Sequence, residues 1–174
     1  MNIEGAFLCR KEILFLFGYY FCSMYSRQEA SLLNQEFWTA LGQYMSPILS
    51  AEGERINWIN YKTGEKNIRF IMQAENKTAS VSIQLNHKDH DLQRFNYEKL
   101  LQLKKILHTV TGVVWQWQPL ITDQHGCTIS IVFVQQDDVS IFNKDQWPQL
   151  ISFFKTNMIA LDKFWCENKF AFER

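Results

Sequence analysis

The sequence predicts an α+β fold, a mostly antiparallel sheet with helices on one face, in the order α-β-β-β-α-β-β-α. Three observations carry that prediction. In TASVSIQLN (78–86), Ala79, Val81, Ile83 and Leu85 alternate strictly with Ser80, Ser82, Gln84 and Asn86, the period of two of a half-buried strand. Behind Ser26 and behind Asn143, apolar residues recur at helical spacing, each run led by a capping signal. A chain of 174 residues, 47% hydrophobic with only seven glycines and three prolines, suits one filled core and leaves little for a flexible linker.

The elements follow in order. SRQE (26–29) has capping-box spacing, and Leu33, Phe37, Leu41, Tyr44 and Met45 continue it as a helix over about 27–46, ended near Pro47. A meander comes next. RINWINY (55–61) reads as a first strand, KTGE (62–65) as a glycine-bearing turn, and NIRFIMQA (67–74) as a second strand with Ile68, Phe70, Met72 and Ala74 on one face. ENK (75–77) turns the chain into TASVSIQLN. LQRFNYEKLLQLKKILHTV (92–110) reads as an amphipathic helix with Leu92, Phe95, Leu103, Ile106 and Leu107 inward, stopped by Gly112. VVWQWQP and CTISIVFV are two further strands around the DQHG turn (123–126). NKDQ (143–146) then precedes a long helix with Trp147, Leu150, Ile151, Phe154, Met158, Leu161 and Trp165 at helical spacing, Pro148 falling in its first turn.

Residues 24–174 are thus expected to form one domain, with residues 1–23 as an extension. RKEILFLFGYYFCSM (10–24) holds an apolar run about half as long as a bilayer span requires. The leading reading is a translated segment upstream of a natural start at Met24. A short docking helix comes second and a signal-peptide core last.

Eighteen basic and eighteen acidic residues balance, so the broad basic excess of a duplex-binding protein is missing, although a local patch stays open. Cys9, Cys22, Cys127 and Cys166 show no CxxC spacing. They read as reduced, mostly buried thiols of a cytoplasmic protein rather than zinc ligands or a disulfide framework.

QLNHKDHD (84–91) places His87 and His90 three apart among Lys88, Asp89 and Asp91. The pair straddles the end of a strand, where a shared helical face is lost, and no second cluster supplies further ligands. Asp89 or Asp91 as N-cap of the following helix is the expected role. The α-β-β-β-α-β run is also the core order of restriction-endonuclease-like folds, whose chemistry wants an acidic residue and then Glu/Asp-x-Lys across the next strand around a divalent metal. Gln84 and Asn86 stand where the carboxylate and lysine belong, and Glu75-Asn76-Lys77 falls in a turn. No GxSxG, phosphate loop or HExxH is present. The outward positions Ser80, Ser82, Gln84, Asn86, Gln116, Gln118, Thr128 and Ser130 make a neutral polar sheet face, read as solvated or as a platform for a partner or the extension.

MYSRQEASLLNQEFWTALGQYM, INWINYKTG, HKD (87–89) and WPQLISFFKTNMIALDKFW together resemble the bacterial domain-of-unknown-function 4268 family, from Met24 to about Phe170. The resemblance implies a domain found both free-standing and fused behind nuclease-like or other domains of bacterial defence and DNA processing. It supplies no catalytic motif to transfer. The expectation is a non-enzymatic accessory domain acting through protein contacts at exposed Trp58, Tyr61, Lys62, His87, Lys88 and Asp89. The alternative is a nucleic-acid-binding or degenerate nuclease module touching phosphate through Lys62, Arg69 and Lys88. No cofactor, metal or membrane is expected for residues 24–174.

Overall fold

The computed structural model describes residues 26–122 and 126–172. The expectations for residues 1–23, for Met24 as the start and for most of the DQHG turn (123–126) lie outside these. Helix α1 spans Arg27–Met45 behind the expected capping box: Ser26 Oγ accepts from the amide of Glu29, and the Glu29 carboxylate accepts from the amide of Ser26 at 2.7 Å. Phe37, Leu41 and Met45 are buried, whereas Tyr44 is exposed.

Strands β1 (Ile68–Ala74) and β2 (Thr78–Leu85) form a hairpin in register from Ile68↔Leu85 to Ala74↔Ala79. After β2 the chain makes α2 (His90–Gln102) and α3 (Lys104–Thr111). The single helix expected over 92–110 breaks at Leu103, which leaves helical geometry at φ −85°, ψ 2°. Gly112 stops α3 in the left-handed region, φ +70°, which glycine adopts without steric cost. Strands β3 (Gln116–Thr122) and β4 (Thr128–Asp137) complete a four-stranded sheet in the order β1-β2-β4-β3. Every neighbouring pair is antiparallel, so β2 and β3 run parallel with β4 between them, a split β-α-β arrangement. Edge strand β3 carries Pro119 and a register shift between Gln118 and Ile121, devices that suit an edge.

The long helix α4 (Trp147–Asn168) closes the core. NKDQ does not cap it directly; Asn143 instead starts a 3-10 turn, Lys144–Gln146, that leads into it. Leu150, Phe154, Met158, Leu161, Phe164 and Trp165 are all buried, and Trp165 meets Phe70 of β1 edge-on at 5.5 Å. Helix α1 lies against α4 through Phe37 and Trp38 on Phe154. The α+β class, with α2 and α4 on the sheet face carrying Phe70, Ile83 and Val132, is as expected.

Two expectations are corrected. RINWINY forms no strand beyond a single bridge, Leu49↔Arg55, so the α-β-β-β-α-β order is shorter by one strand. Asn57 Oδ1 accepts from the amides of Ile59 and Asn60, which turns the backbone there. Buried Asp162 of α4 accepts from the Ala51 amide and the Tyr61 hydroxyl, each at 2.6 Å. Trp165 Nε1 donates to Thr63 O at 2.8 Å. The segment is held to α4 by side chains about a hundred residues away rather than to a strand. The second correction concerns β4. Ser130 pairs with Leu85, and directly opposed residues share a face. Ser130, and by alternation Thr128, therefore belong to the helix-covered face, and Ile131 and Phe133 to the face of Ser82 and Gln84.

Candidate interaction surface

Several residues expected at an exposed site lie inside. Trp58 is 2% exposed, its indole donating to Ile48 O at 3.0 Å. Tyr61 is half-buried, stacked on Phe70 at 4.9 Å; burial, and then the Asp162 carboxylate, hold its phenol well above the ordinary value. His87 is 6% exposed, its Nε2 at 3.0 Å from Asn96 Nδ2. Burial is thus the correction for these three, because the segments bearing them fold under α4 and α2. Lys62, Arg69, Lys88 and Asp89 remain exposed. Asp89 is the N-cap of α2: its Oδ1 accepts from the amides of Asp91 and Leu92 at 2.9 and 3.2 Å. The HKD stretch is a joint. Cys127 is exposed, not the core thiol expected; it precedes β4 instead of lying within it.

Helix α2 meets the sheet through a polar seam. Its buried residues are Gln93, Asn96, Tyr97 and Leu100. Gln93 and Ser130 are both 0% exposed; Gln93 Nε2 donates to Ser130 Oγ at 3.1 Å, and so does the Leu120 amide. Leu120 holds φ +47° beside the β3 irregularity, which aims its amide at that hydroxyl. Asn86 Oδ1, Gln93 Oε1 and Trp117 Nε1 are buried and meet no protein partner among the described residues.

With amides turned inward, apolar side chains turn outward. Phe95, expected in the core, is 51% exposed, and Ile106, also expected there, is exposed too. Val114, ahead of β3 rather than in it, is 77% exposed. Of the ten large apolar side chains exposed among the described residues, six fall between 95 and 120: Phe95, Leu101, Ile106, Val113, Val114 and Leu120. The six lie along consecutive segments, from α2 through α3 to β3, and apolar exposure of this kind marks a contact surface where it is contiguous.

The same flank is basic. Residues 99–122 contain Lys99, Lys104 and Lys105 and no aspartate or glutamate, the longest acid-free run in the chain. That run was the readable signal, hidden by the balanced total. At the α2–α3 joint, Leu101, Gln102, Lys104, Lys105, His108 and Thr109 line a shallow groove of about 510 Å³. Lys104 Nζ stands 5.5 Å over the Trp117 ring. His108 Nε2 accepts from the Trp115 amide at 3.3 Å, which requires the neutral ring, and burial followed by the Lys104 charge lowers its pKa. Thr111 Oγ1 accepts from Trp115 Nε1 at 2.9 Å and donates to Leu107 O, fastening the residue ahead of β3 to α3.

Among the described residues no group of three or more His, Cys, Asp or Glu is placed to hold a metal ion, and no helix is long and apolar enough to cross a membrane. A family model described as "Domain of unknown function (DUF4268)" matches residues 33–169. No curated protein and no solved structure matches.

Proposed function

This chain belongs to the DUF4268 family, and on that premise we propose that it is a non-enzymatic accessory domain of the bacterial cytoplasm that docks another protein on the outer face of α2, α3 and β3. The observation that carries the reading is the inverted patterning of α2. It buries Gln93 and Asn96 and leaves Phe95 and Leu101 outside, and Ile106 of α3 is exposed as well; leaving these side chains in water costs hydrophobic free energy unless something covers them.

The test uses the full chain as bait in a lysate of the source cell, with nuclease treatment, beside Ile106→Asp and Val114→Asp baits. Both side chains are exposed, so folding is expected to survive, checked by unchanged melting. A protein held by the wild-type chain after nuclease and lost from both variants supports the reading. Partners that persist on both variants, or that depart with nuclease, overturn it.

A second reading is a nucleic-acid-binding or degenerate nuclease-like module linked to DNA processing or defence. One observation favours it: Lys62, Arg69 and Lys88 all stay exposed, and the Asn86 amide bonds Asn67 O at 3.0 Å, so the segments bearing Arg69 and Lys88 meet at one end of the sheet. Binding of single-stranded DNA that weakens steeply with salt, and is lost in Arg69→Ala and Lys88→Ala, would establish it.

A further inference from the structure

The docking reading leaves open the chemistry of the partner. Resting on that reading, we infer that the groove at the α2–α3 joint takes an acidic, aliphatic-bearing peptide segment of the partner protein. Its lining offers donors from Gln102, Lys104 and Lys105, with Leu101 as the apolar contact and no carboxylate. Neither Lys104 nor Lys105 is ion-paired within the described residues. Adjacent helix positions diverge by about 100°, so the two ammonium groups leave the helix in different directions instead of crowding at one point. The Trp117 ring beneath Lys104 steadies one of them by a cation–π contact. A carboxylate-bearing segment complements these charges, and its aliphatic side chains cover Leu101, which is exposed.

Two other anionic occupants fit less well. Single-stranded nucleic acid gains its affinity from exposed aromatics on which bases stack. Here Trp115 is buried and Trp117 half-buried, and of the six exposed apolar side chains between 95 and 120 only Phe95 is aromatic, with Lys99 Nζ already 4.5 Å from its ring centre. An anionic lipid surface favours a basic–apolar face laid flat on it, whereas these lysines flank a concavity.

The experiment is selection of a random short-peptide display library on the full chain, with a Lys104→Glu, Lys105→Glu double variant as the counter-target. Both positions are exposed, and an unchanged melting temperature confirms that the variant folds. Enriched peptides are expected to combine aspartate or glutamate with aliphatic residues, to bind the double variant at least about tenfold more weakly, and to weaken as salt rises. Enrichment without acidic residues, equal binding to the variant, or no enrichment over it overturns the inference. Tighter binding of oligothymidylate or of phosphatidylglycerol vesicles than of any selected peptide, abolished in the variant, overturns it in favour of that ligand. The docking reading fails separately: it falls if Ile106→Asp and Val114→Asp leave the lysate partner bound, or if nuclease removes that partner.

Discussion

Helices α2 and α4 cover the same sheet in opposite ways. Helix α4 buries Leu150, Phe154, Met158, Leu161, Phe164 and Trp165, with Asn157 and Asp162 among them. Helix α2 buries two amides, Gln93 and Asn96, beside Tyr97 and Leu100. Apolar burial is non-directional and grows with the area removed from water, so the α4 side is where stability accumulates. A hydrogen-bonded seam contributes little net free energy but costs much when one partner is lost. It fixes the seat of α2 rather than the strength of its attachment. The contrast shows that the orientation of a helix can be set by a few directional bonds, which frees its apolar side chains for an external contact. Interaction surfaces are expected on such less stable elements.

The largest effect should come from breaking the apolar side. Phe154 is fully buried between Phe37 and Trp38 of α1 and the core, and Phe154→Ala should cost about 3–5 kcal/mol in urea unfolding. A cost below about 1 kcal/mol would mean that α4 is not the main source of stability. On the seam, Ser130→Ala strips the acceptor from both Gln93 and the Leu120 amide, and about 1–3 kcal/mol should be lost. Adding Gln93→Leu should recover part of that, since the stranded amide is removed with it; strict additivity in the double-mutant cycle would show that the two do not act together.

At the helix entrance, Asp89→Ala should cost about 1 kcal/mol. Asp91→Ala should cost only the few tenths to about 1 kcal/mol of a charge near a helix N-terminus, because Asp89 holds the capping bonds. Equal losses would contradict the assignment of the cap. The smallest effect concerns His108. Its folded-state pKa is lowered, so the unfolded chain binds its proton more readily. The contribution of His108 to stability is therefore complete above the unfolded value of about 6.5 and is lost as pH falls through the lower folded value. NMR titration of the ring should give a midpoint below the ordinary imidazole range, and a midpoint above it would refute the neutral acceptor at Trp115.

Where the sequence was legible, the determinants were local. The Ser26–Glu29 box, the β1–β2 alternation, the Gly112 stop and the α4 stripe each depend on residues within a few positions of one another, so spacing alone reveals them. The cap of α2 belongs with them to within two residues, since its place before a helix left Asp89 or Asp91 and the capping bonds fall to Asp89. The exposed flank was half-legible: the acid-free run 99–122 stands in the sequence, but periodicity says only that a helix has two faces, not which one meets the sheet. That choice fell to tertiary structure, where the Ser130 hydroxyl, turned inward by its pairing with Leu85, gives Gln93 a partner and sends Phe95 outward. The fate of 55–61 was decided at similar range. Its β-branched and aromatic residues suit a strand, yet Asp162 and Trp165, distant in sequence, bond Tyr61 and the flanking Ala51 and Thr63 instead. Short-range order followed from the sequence itself; which face points inward, and which segment joins the sheet, depended on bonds that exist only once remote residues meet.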